Sequence, residues 1–332
     1  MVVDVGTSDD AAVRRVTPSH AEALANGVAG RDDGVVALPQ PGIFALGNPS
    51  HTYLELDVAP DADARALVVA ACGLVEPRTT MGGVNLVTGF RPEIWAEAAP
   101  DRSPSGVAGF TKPIVGRDGY TMPARQHDLA LWIAGGSYDT VFDATISLLA
   151  ALGDVATLAD ETPGWSYHRD LDLTGFIDGT ENSPLWVAPT EVLIPDGEPG
   201  AGGSVLLLQK WVHDAPAWTS LSVAEQEQVI GRTKADSLEL DPRPETSHVA
   251  RTDQDDFGTI FRRNTAFGSV RAHGTMFVGF SAKQGYLAAM LDSMAGVDGE
   301  PDALTRYTRP LTGGYYFVPS LDDMAVFAPA LD

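Results

Sequence analysis

Hydrophobic and polar positions along the chain follow the two periods that distinguish strands from helices. Residues 51–58 (HTYLELDV) alternate with period two and predict a strand, whereas residues 62–74 (ADARALVVAACGL) have the apolar spacing of a helix. Residues 83–90 (GVNLVTGF) and 127–134 (HDLALWIA) predict two further strands. The first part of the chain is therefore predicted to run strand, helix, strand, strand.

A helix is predicted directly after these strands. Ser137 is a suitable N-cap, and Phe142, Ile146 and Leu149 stand at i, i+4 and i+7, which predicts the face that packs on the core. Residues 155–168 (VATLADETPGWSYH) are predicted to close this half as an extended edge.

The same order of elements returns further along the chain. Residues 202–212 (GGSVLLLQKWV) predict a strand. Ser222 and Glu225 have the spacing of a capping box, which begins a helix that runs to Gly231. Residues 274–280 (GTMFVGF) predict the next strand.

The last helix and strand complete the second half. Ser281 and Gln284 are predicted to cap the helix, and residues 313–320 (GGYYFVPS) predict the final strand. The helix residues expected to face the core are Leu287, Met290, Leu291 and Met294. A thioether ligand role for the two methionines is the alternative, but their helical spacing favours core packing.

Two strand–helix–strand, strand–helix–strand series in one chain are the split βαβ, or ferredoxin-like, pattern repeated. We therefore expect an α+β fold of two ferredoxin-like units, with antiparallel sheets and with helices packed outside. The predicted organisation is an N-terminal extension over residues 1–38, an N-terminal half over 39–190 and a C-terminal half over 191–332.

The net charge of the chain limits the kinds of binding partner that we expect. Among 332 residues, Lys and Arg number 22 and Asp and Glu number 45, which gives a net charge of −23. So acidic a chain argues against nucleic acid and anionic membranes as partners. The sequence shows neither a secretory signal nor an apolar run long enough to span a membrane, so a cytoplasmic location is expected.

Cysteine usage excludes several kinds of site. Cys72 is the one cysteine, so the chain has no internal disulfide, no CxxC zinc site, no Cys-ligated iron–sulfur cluster and no CxxCH haem attachment. Its place in an apolar run predicts a buried, inert side chain.

Candidate chemistry is concentrated in three stretches around a long polar insertion at 232–267. These are DLTGFIDGTENSP (172–184), TSHVARTD (246–253) and IFRRNTAFG (260–268). Each signal has a structural alternative when taken alone: Asp178 could form an Asx-turn, and His248 could be a structural histidine. The candidates among them are one His, two Arg, one Asn and one Asp, namely His248, Arg262, Arg263, Asn264 and Asp178, and small residues surround them.

The three stretches resemble the motifs of the dye-decolorizing peroxidases. GFIDGTEN (175–182) is similar to the GxxDG signature of this family, and SHVARTD and IFRRNTAFG are similar to its two further motifs. The resemblance extends over roughly residues 39–322 and is greatest to the compact bacterial subgroup. It implies a doubled ferredoxin-like fold with non-covalent haem b in a pocket of the C-terminal half.

The resemblance also implies roles for individual residues. His248 would be the axial ligand of the haem iron, Asp178 the acid–base group, Arg262 the cation near the bound peroxide and Asn264 a nearby amide. Further residues expected to contact the haem are Gly175, Phe176, Ile177, Gly179, Thr180, Arg263 and Phe280.

One family feature is missing. Arg306 stands where many relatives carry an acidic residue that could hydrogen-bond the axial imidazole, so the partner of His248 is open between Asp292 and Asp302.

The implied function is a haem peroxidase. It would reduce hydrogen peroxide through a ferryl intermediate, oxidise small phenolic or dye-like electron donors, and assemble as a homo-oligomer. Two alternatives are a haem-handling or haem-sensing protein with incidental peroxidase activity, and an α+β protein that binds no haem.

Overall fold

The computed structural model describes residues 37–74, 83–168 and 170–327. The N-terminal extension predicted over residues 1–38 lies outside the described residues, apart from positions 37 and 38. The first half contains β1 (Ser50–Val58), α1 (Ala64–Cys72), β2 (Val84–Phe90), α2 (Pro92–Ala98), β3 (Ile114–Val115), β4 (Thr121–Met122), β5 (Leu129–Gly135), α3 (Tyr138–Leu152) and β6 (Ala156–Trp165).

The second half continues with α4 and β7, and its elements include two short helices in the polar insertion. The elements are α4 (Ala188–Val192), β7 (Ser204–His213), α5 (Ala215–Ser220), α6 (Val223–Ile230), α7 (His248–Arg251), α8 (Gln254–Phe257), β8 (Phe261–Arg262), β9 (Thr265–Gly268), β10 (His273–Ser281), α9 (Gln284–Ala295), β11 (Thr308–Pro310), β12 (Gly314–Val318) and α10 (Leu321–Ala325).

Both halves have the same strand order. The first is β2-β5-β1-β6 and the second is β9-β10-β7-β12, so each runs second, third, first, fourth along its own sequence. All neighbouring strands are antiparallel. This order results when two βαβ units are interleaved in one sheet. The prediction of a doubled ferredoxin-like α+β fold is confirmed.

The two sheets join into a closed ring of eight strands. β12 pairs with β2 at Phe317 and Phe90, and β6 pairs with β9 through Gly164 and Trp165. Because the ring closes, each main strand has a neighbour on both sides. One face of the strands packs in the ring interior and the other packs on helices. Interior side chains from both halves include Tyr53, Trp132, Leu206, Val278, Phe280 and Tyr316.

The helices of the first half cover the outer face of its sheet. The side chain of Asp63 begins α1 by accepting a hydrogen bond from the backbone N–H of Ala66 at 2.7 Å. Leu67 and Val68 of α1 pack with Leu54 and Leu131 of the sheet, and all four are at most 1% exposed.

The inward face of α3 differs from the prediction. Val141, Ala144 and Leu148 are buried, whereas Phe142 and Ile146 are about half exposed. Ser137 is the N-cap residue, but its hydroxyl bonds side chains of the first turn instead of a backbone N–H. The helix is therefore rotated by about one residue because both adjacent stripes are apolar.

Two further local predictions are wrong. The predicted edge strand β6 lies between β1 and β9 and is not an edge. The N-cap of α9 is Lys283, because Ser281 donates to the carbonyl of Thr259 at 2.9 Å and the Gln284 amide bonds the backbone of Ala108.

The described helices contain no segment that is both long enough and apolar enough to cross a membrane. The boundary predicted between residues 190 and 191 falls inside α4.

Candidate active site

A large cavity lies on the outer face of β7 and β10, and residues between 172 and 308 line it. Its volume is about 1170 Å³ when its open mouth is included. Leu207, Gln209, Trp211 and His213 line it because alternate residues of β7 point to one side of the sheet. Leu287, Met290, Leu291 and Met294 of α9 line the opposite wall. The helix stripe predicted to face the core thus also faces this space.

His248 begins α7 and points into the cavity. Ser247 is the N-cap of this short helix, and its hydroxyl accepts from the backbone N–H of Ala250. The Nδ1 atom of His248 lies 2.6 Å from Oδ2 of Asp302, which is fully buried. Of the two partners left open by the sequence, Asp302 is the one in contact, while Asp292 is exposed on α9. With Nδ1–H donated to a carboxylate, Nε2 keeps its lone pair and can bind a metal ion.

The electrostatics of His248 follow from the same pair. Burial lowers the pKa of His248, but the carboxylate of Asp302 outweighs this and holds the pKa above its usual value. The other carboxyl oxygen of Asp302 accepts from the backbone N–H of Leu304 at 2.8 Å, which fixes the carboxylate. The imidazole is thereby held in one tautomer and one orientation.

Asp178 is positioned by a tight loop between β6 and α4. Its backbone N–H donates to the carbonyl of Asp170 at 2.7 Å, and its Oδ1 accepts from the N–H of Gly179 at 2.8 Å. Gly175 has φ +85° and Gly179 has φ +71°, which glycine adopts without strain. The two glycines that flank the aspartate are therefore required by the backbone path of the loop.

Arg262 and Asn264 reach the same cavity from β8 and the segment after it. Asn182, the last residue of GFIDGTEN, accepts from the N–H of Arg262 and donates to its carbonyl, both at 2.8 Å. The Oδ1 atom of Asn264 accepts from the N–H of Val278 at 3.0 Å, so its Nδ2 amide is the end left to donate. The structure thus brings His248, Asp178, Arg262 and Asn264 to one cavity.

The residues predicted to contact a haem divide into three groups. Phe176, Ile177 and Thr180 line the main cavity. Gly175 shapes the loop without lining this space, and Gly179 lines a neighbouring cavity.

Arg263 and Phe280 are placed differently from the prediction. The Arg263 guanidinium donates to the carbonyls of Ile43 at 2.7 Å and of Ala45, and it lies over the ring of Trp132. Phe280 is fully buried in the ring interior. Arg263 lines the neighbouring cavity instead of the main one. Phe280 points into the ring because alternate residues of β10 face opposite sides, and Phe277 lines the main cavity in its place.

Several cavity residues were not predicted, Gln209 and Arg232 among them. Gln209 Nε2 and Arg232 Nε, like Nε of the predicted Arg262, are buried N–H donors with no hydrogen-bond partner among the described residues. His213 also lines the cavity, and burial lowers its pKa to about 4. The period of two along β7 places Gln209 and His213 on one face. It does not show that this face borders a cavity.

A second, more open cavity of about 1810 Å³ adjoins the first. The two share Asp172, Asp178, Arg262, Asn264 and Thr275. Burial, reinforced by the charge of Asp178, raises the pKa of Asp172 to about 6. The second cavity therefore connects the first cavity to solvent on the side where Asp178 lies.

Comparison with known proteins gives a consistent result. Residues 169–323 match the family model described as Dyp-type peroxidase, C-terminal. A dye-decolorizing peroxidase of Mycolicibacterium paratuberculosis is 34% identical over 303 residues, which are 86% of this chain and 84% of that protein. A dye-decolorizing peroxidase of Brevibacterium linens is 32% identical, over 82% of this chain and 78% of that protein.

Solved structures show the same relationship. A dyp-type peroxidase from Shewanella oneidensis aligns with a TM-score of 0.81 at 27% identity, over 89% of this chain and all of that one. A DypB variant of Rhodococcus jostii, solved in complex with heme, aligns with a TM-score of 0.76 at 32% identity, over 87% of this chain and 99% of that one. The chain therefore belongs to the dye-decolorizing peroxidase family.

Proposed function

We propose that this protein binds haem b non-covalently, reduces hydrogen peroxide and oxidises small phenolic or dye-like donors. The observation that carries the proposal is the 2.6 Å contact between His248 Nδ1 and Asp302 Oδ2. It orients the imidazole so that Nε2 faces a large cavity, whose lining also contains Asp178 and Arg262. The relatives at 32–34% identity assign the chain to a family of peroxidases, and the cavity contains the groups that peroxide chemistry requires.

The cavity fits a haem in its placement and in the character of its lining. It lies between the outer face of β7 and β10 and the apolar side chains of α9, so a large flat ligand would have a wall on either side. Much of its wall is apolar, as the faces of a porphyrin require. The three unpartnered buried donors, on Gln209, Arg232 and Arg262, would suit the carboxylates of such a group and a bound oxygen ligand such as peroxide. His248 would hold the iron, and haem would supply the redox chemistry.

Asp302 acts on the iron ligand without reaching the substrate. Its carboxylate accepts the Nδ1–H of His248 and makes the imidazole a stronger electron donor to a metal at Nε2. Asp302 is therefore a positioning residue, and it takes the place of the acidic residue that Arg306 replaces in the sequence.

Asp178 transfers protons, and Arg262 stabilises negative charge. The carboxylate of Asp178 accepts the proton that hydrogen peroxide loses on binding, and it returns a proton to the departing oxygen so that water leaves. The guanidinium of Arg262 remains cationic and stabilises the negative charge on that oxygen as the O–O bond breaks. The Nδ2 amide of Asn264 adds a hydrogen bond on the same side.

The test is the absorption spectrum of the purified protein with haem, before and after one equivalent of hydrogen peroxide. We expect a haem band that shifts rapidly with peroxide, and that is weakened or lost in His248→Ala. His213→Ala is the matched control, because His213 is a second buried imidazole in the same cavity. Equal loss in both variants would contradict the assignment of His248.

Asp178→Asn separates a peroxidase from a haem-handling protein. Removal of a general acid–base group slows a reaction by about 10²- to 10⁴-fold. We expect a loss of this order in the stopped-flow rate with peroxide, with haem binding retained. A wild-type haem band that ignores peroxide would instead support haem handling or sensing. Homo-oligomeric assembly and a cytoplasmic location stay predictions from the sequence.

A further inference from the structure

The ring interior contains a buried acid–phenol pair that the proposed peroxide chemistry does not use. Tyr316 on β12 is fully buried, and its hydroxyl donates a 2.5 Å hydrogen bond to Oε1 of Glu55 on β1. Glu55 is 2% exposed. Glu and Asp side chains are rarely this buried unless they are paired, because the charged carboxylate is poorly solvated in an apolar interior.

The pair lies one sheet layer from the main cavity. Tyr316 is in register with Leu206 of β7, and the next residue, Leu207, points out of the ring and lines the cavity. Successive residues of a strand point to opposite faces of its sheet, so the pair and the cavity lie on the two faces of the same sheet. An electron transferred from Tyr316 to the cavity would cross a single strand.

We propose that Tyr316 and Glu55 form an internal one-electron redox site, in which the cavity cofactor, once oxidised by peroxide, takes an electron from Tyr316 while its phenolic proton moves to Glu55. The O–H bond of the phenol breaks and an O–H bond forms on Glu55 Oε1. The electron reduces the oxidised cofactor by one equivalent. Tyr316 becomes a neutral phenoxyl radical and Glu55 a neutral acid. The inference rests on the proposed function, which supplies the oxidant.

Proton transfer favours this site because oxidation makes a phenol a strong acid. The step also converts a buried carboxylate into its neutral form and so relieves the cost of a charge in an apolar interior. The titratable groups that face Glu55 are His127, Asp160 and Lys210, and Lys210 is paired with Asp160 at 2.5 Å. Burial raises the pKa of Glu55, which increases its affinity for the proton.

Two other buried tyrosines have no carboxylate acceptor among the described residues. Tyr315 packs with the cavity-lining Leu207, but its hydroxyl has no hydrogen-bond partner among the described residues. The Tyr53 hydroxyl bonds the hydroxyl of Thr265, at 3.0 Å, which is a much weaker base than a carboxylate.

Trp132 is the remaining competitor in the ring interior. Its Nε1–H donates to Nδ1 of His51 at 3.1 Å, and burial lowers the pKa of His51 to about 4, so this imidazole accepts a proton weakly. The guanidinium of Arg263, 5.0 Å from the ring centroid, opposes a positive charge on the indole. Tyr316 is thus favoured over Trp132, although both are buried in the same cluster.

The experiment uses haem-loaded full-length protein that carries ring-deuterated tyrosine. One equivalent of hydrogen peroxide is added, the sample is freeze-quenched, and the radical is recorded by electron paramagnetic resonance. We expect a tyrosyl signal that narrows on deuteration, is lost in Tyr316→Phe and is retained in the matched control Tyr315→Phe. Glu55→Gln keeps an acceptor oxygen but is a much weaker base, so it should also lose the signal.

Each other outcome overturns the inference. A signal that persists in Tyr316→Phe, or that disappears only in Tyr315→Phe or Trp132→Phe, assigns the radical elsewhere. An undiminished signal in Glu55→Gln shows that the carboxylate does not accept the proton and so refutes the inference. This variant is the test to use if Tyr316→Phe does not fold. A haem band that responds to peroxide without any tyrosyl signal refutes this inference alone. A haem band that ignores peroxide refutes the proposed function as well.

Discussion

The contact between His248 and Asp302 sets a measurable property of the haem-loaded protein, its reduction potential. Asp302→Asn keeps the shape of the side chain but removes the charge that faces Nδ1 of His248, 2.6 Å away. A less electron-rich imidazole stabilises the ferric iron less, so we expect the reduction potential to rise.

The magnitude follows from the strength of the hydrogen bond. A hydrogen bond to a charged group contributes about 1.5–3 kcal/mol. Since a tenfold change in a one-electron equilibrium is about 59 mV and about 1.4 kcal/mol, full expression of that energy in the ferric state shifts the potential by about 65–130 mV. This is an upper bound because the ferrous state keeps part of the interaction.

Spectroelectrochemical titration of the wild type and Asp302→Asn measures the shift. Asp292→Asn is the matched control, because it removes the same charge from an exposed position on α9. An unchanged potential in Asp302→Asn, or an equal shift in Asp292→Asn, would refute the argument that the direct hydrogen bond tunes the iron.

Three further outcomes are expected. Leu148→Ala should lower the free energy of unfolding by about 2–5 kcal/mol in urea titrations, because it leaves a cavity under α3, whereas Ile146→Ala on the exposed face should change it by about 0.5 kcal/mol or less. Asn182→Ala removes both hydrogen bonds to the Arg262 backbone, so the stopped-flow rate with peroxide should fall while haem uptake persists; an unchanged rate would show that the loop is held by other contacts. Burial raises the pKa of Glu55 in the folded protein above its reference value of 4.5, so the folded state binds this proton more tightly than the unfolded state does. The free energy of unfolding should therefore decline as the pH rises from 4.5 through the raised pKa. Unfolding curves of Glu55→Gln should lack this decline, and equal pH slopes in the two proteins would contradict the argument.

The strand order of the fold could be predicted because each element carries its own period. The strand at 51–58 and the capping box at Ser222 and Glu225 were read from local pattern, and both are present in the structure. The rotation of α3 could not be predicted from the sequence, since Phe142 and Val141 are both apolar and a period of 3.6 fits the stripe that contains either residue. The faces of β10 were ambiguous for a similar reason, because one face fills the ring interior and the other borders the cavity.

The candidate site was predictable where its residues stand within short motifs. Asp178 and Arg262 stand in motifs of distinctive composition, and the structure places both at one cavity. Asp302 is 54 residues from His248, and no local spacing connects them. Gln209 was missed for a different reason: within a strand, an amide among apolar residues does not reveal whether it meets protein or a ligand.

The strands of the closed ring are paired over fewer residues between the two halves than within each half. The seam between β12 and β2 consists of the single pair Phe317 and Phe90, whereas β2 and β5 are paired along their full length. At the other seam Gly164 leaves no room for a side chain, since a Cβ there would come within 2.8 Å of the Thr265 hydroxyl. We therefore expect local unfolding to begin at these two seams, where few backbone hydrogen bonds join the halves. Amide protons beside the seams should exchange with solvent before those in the centre of either half.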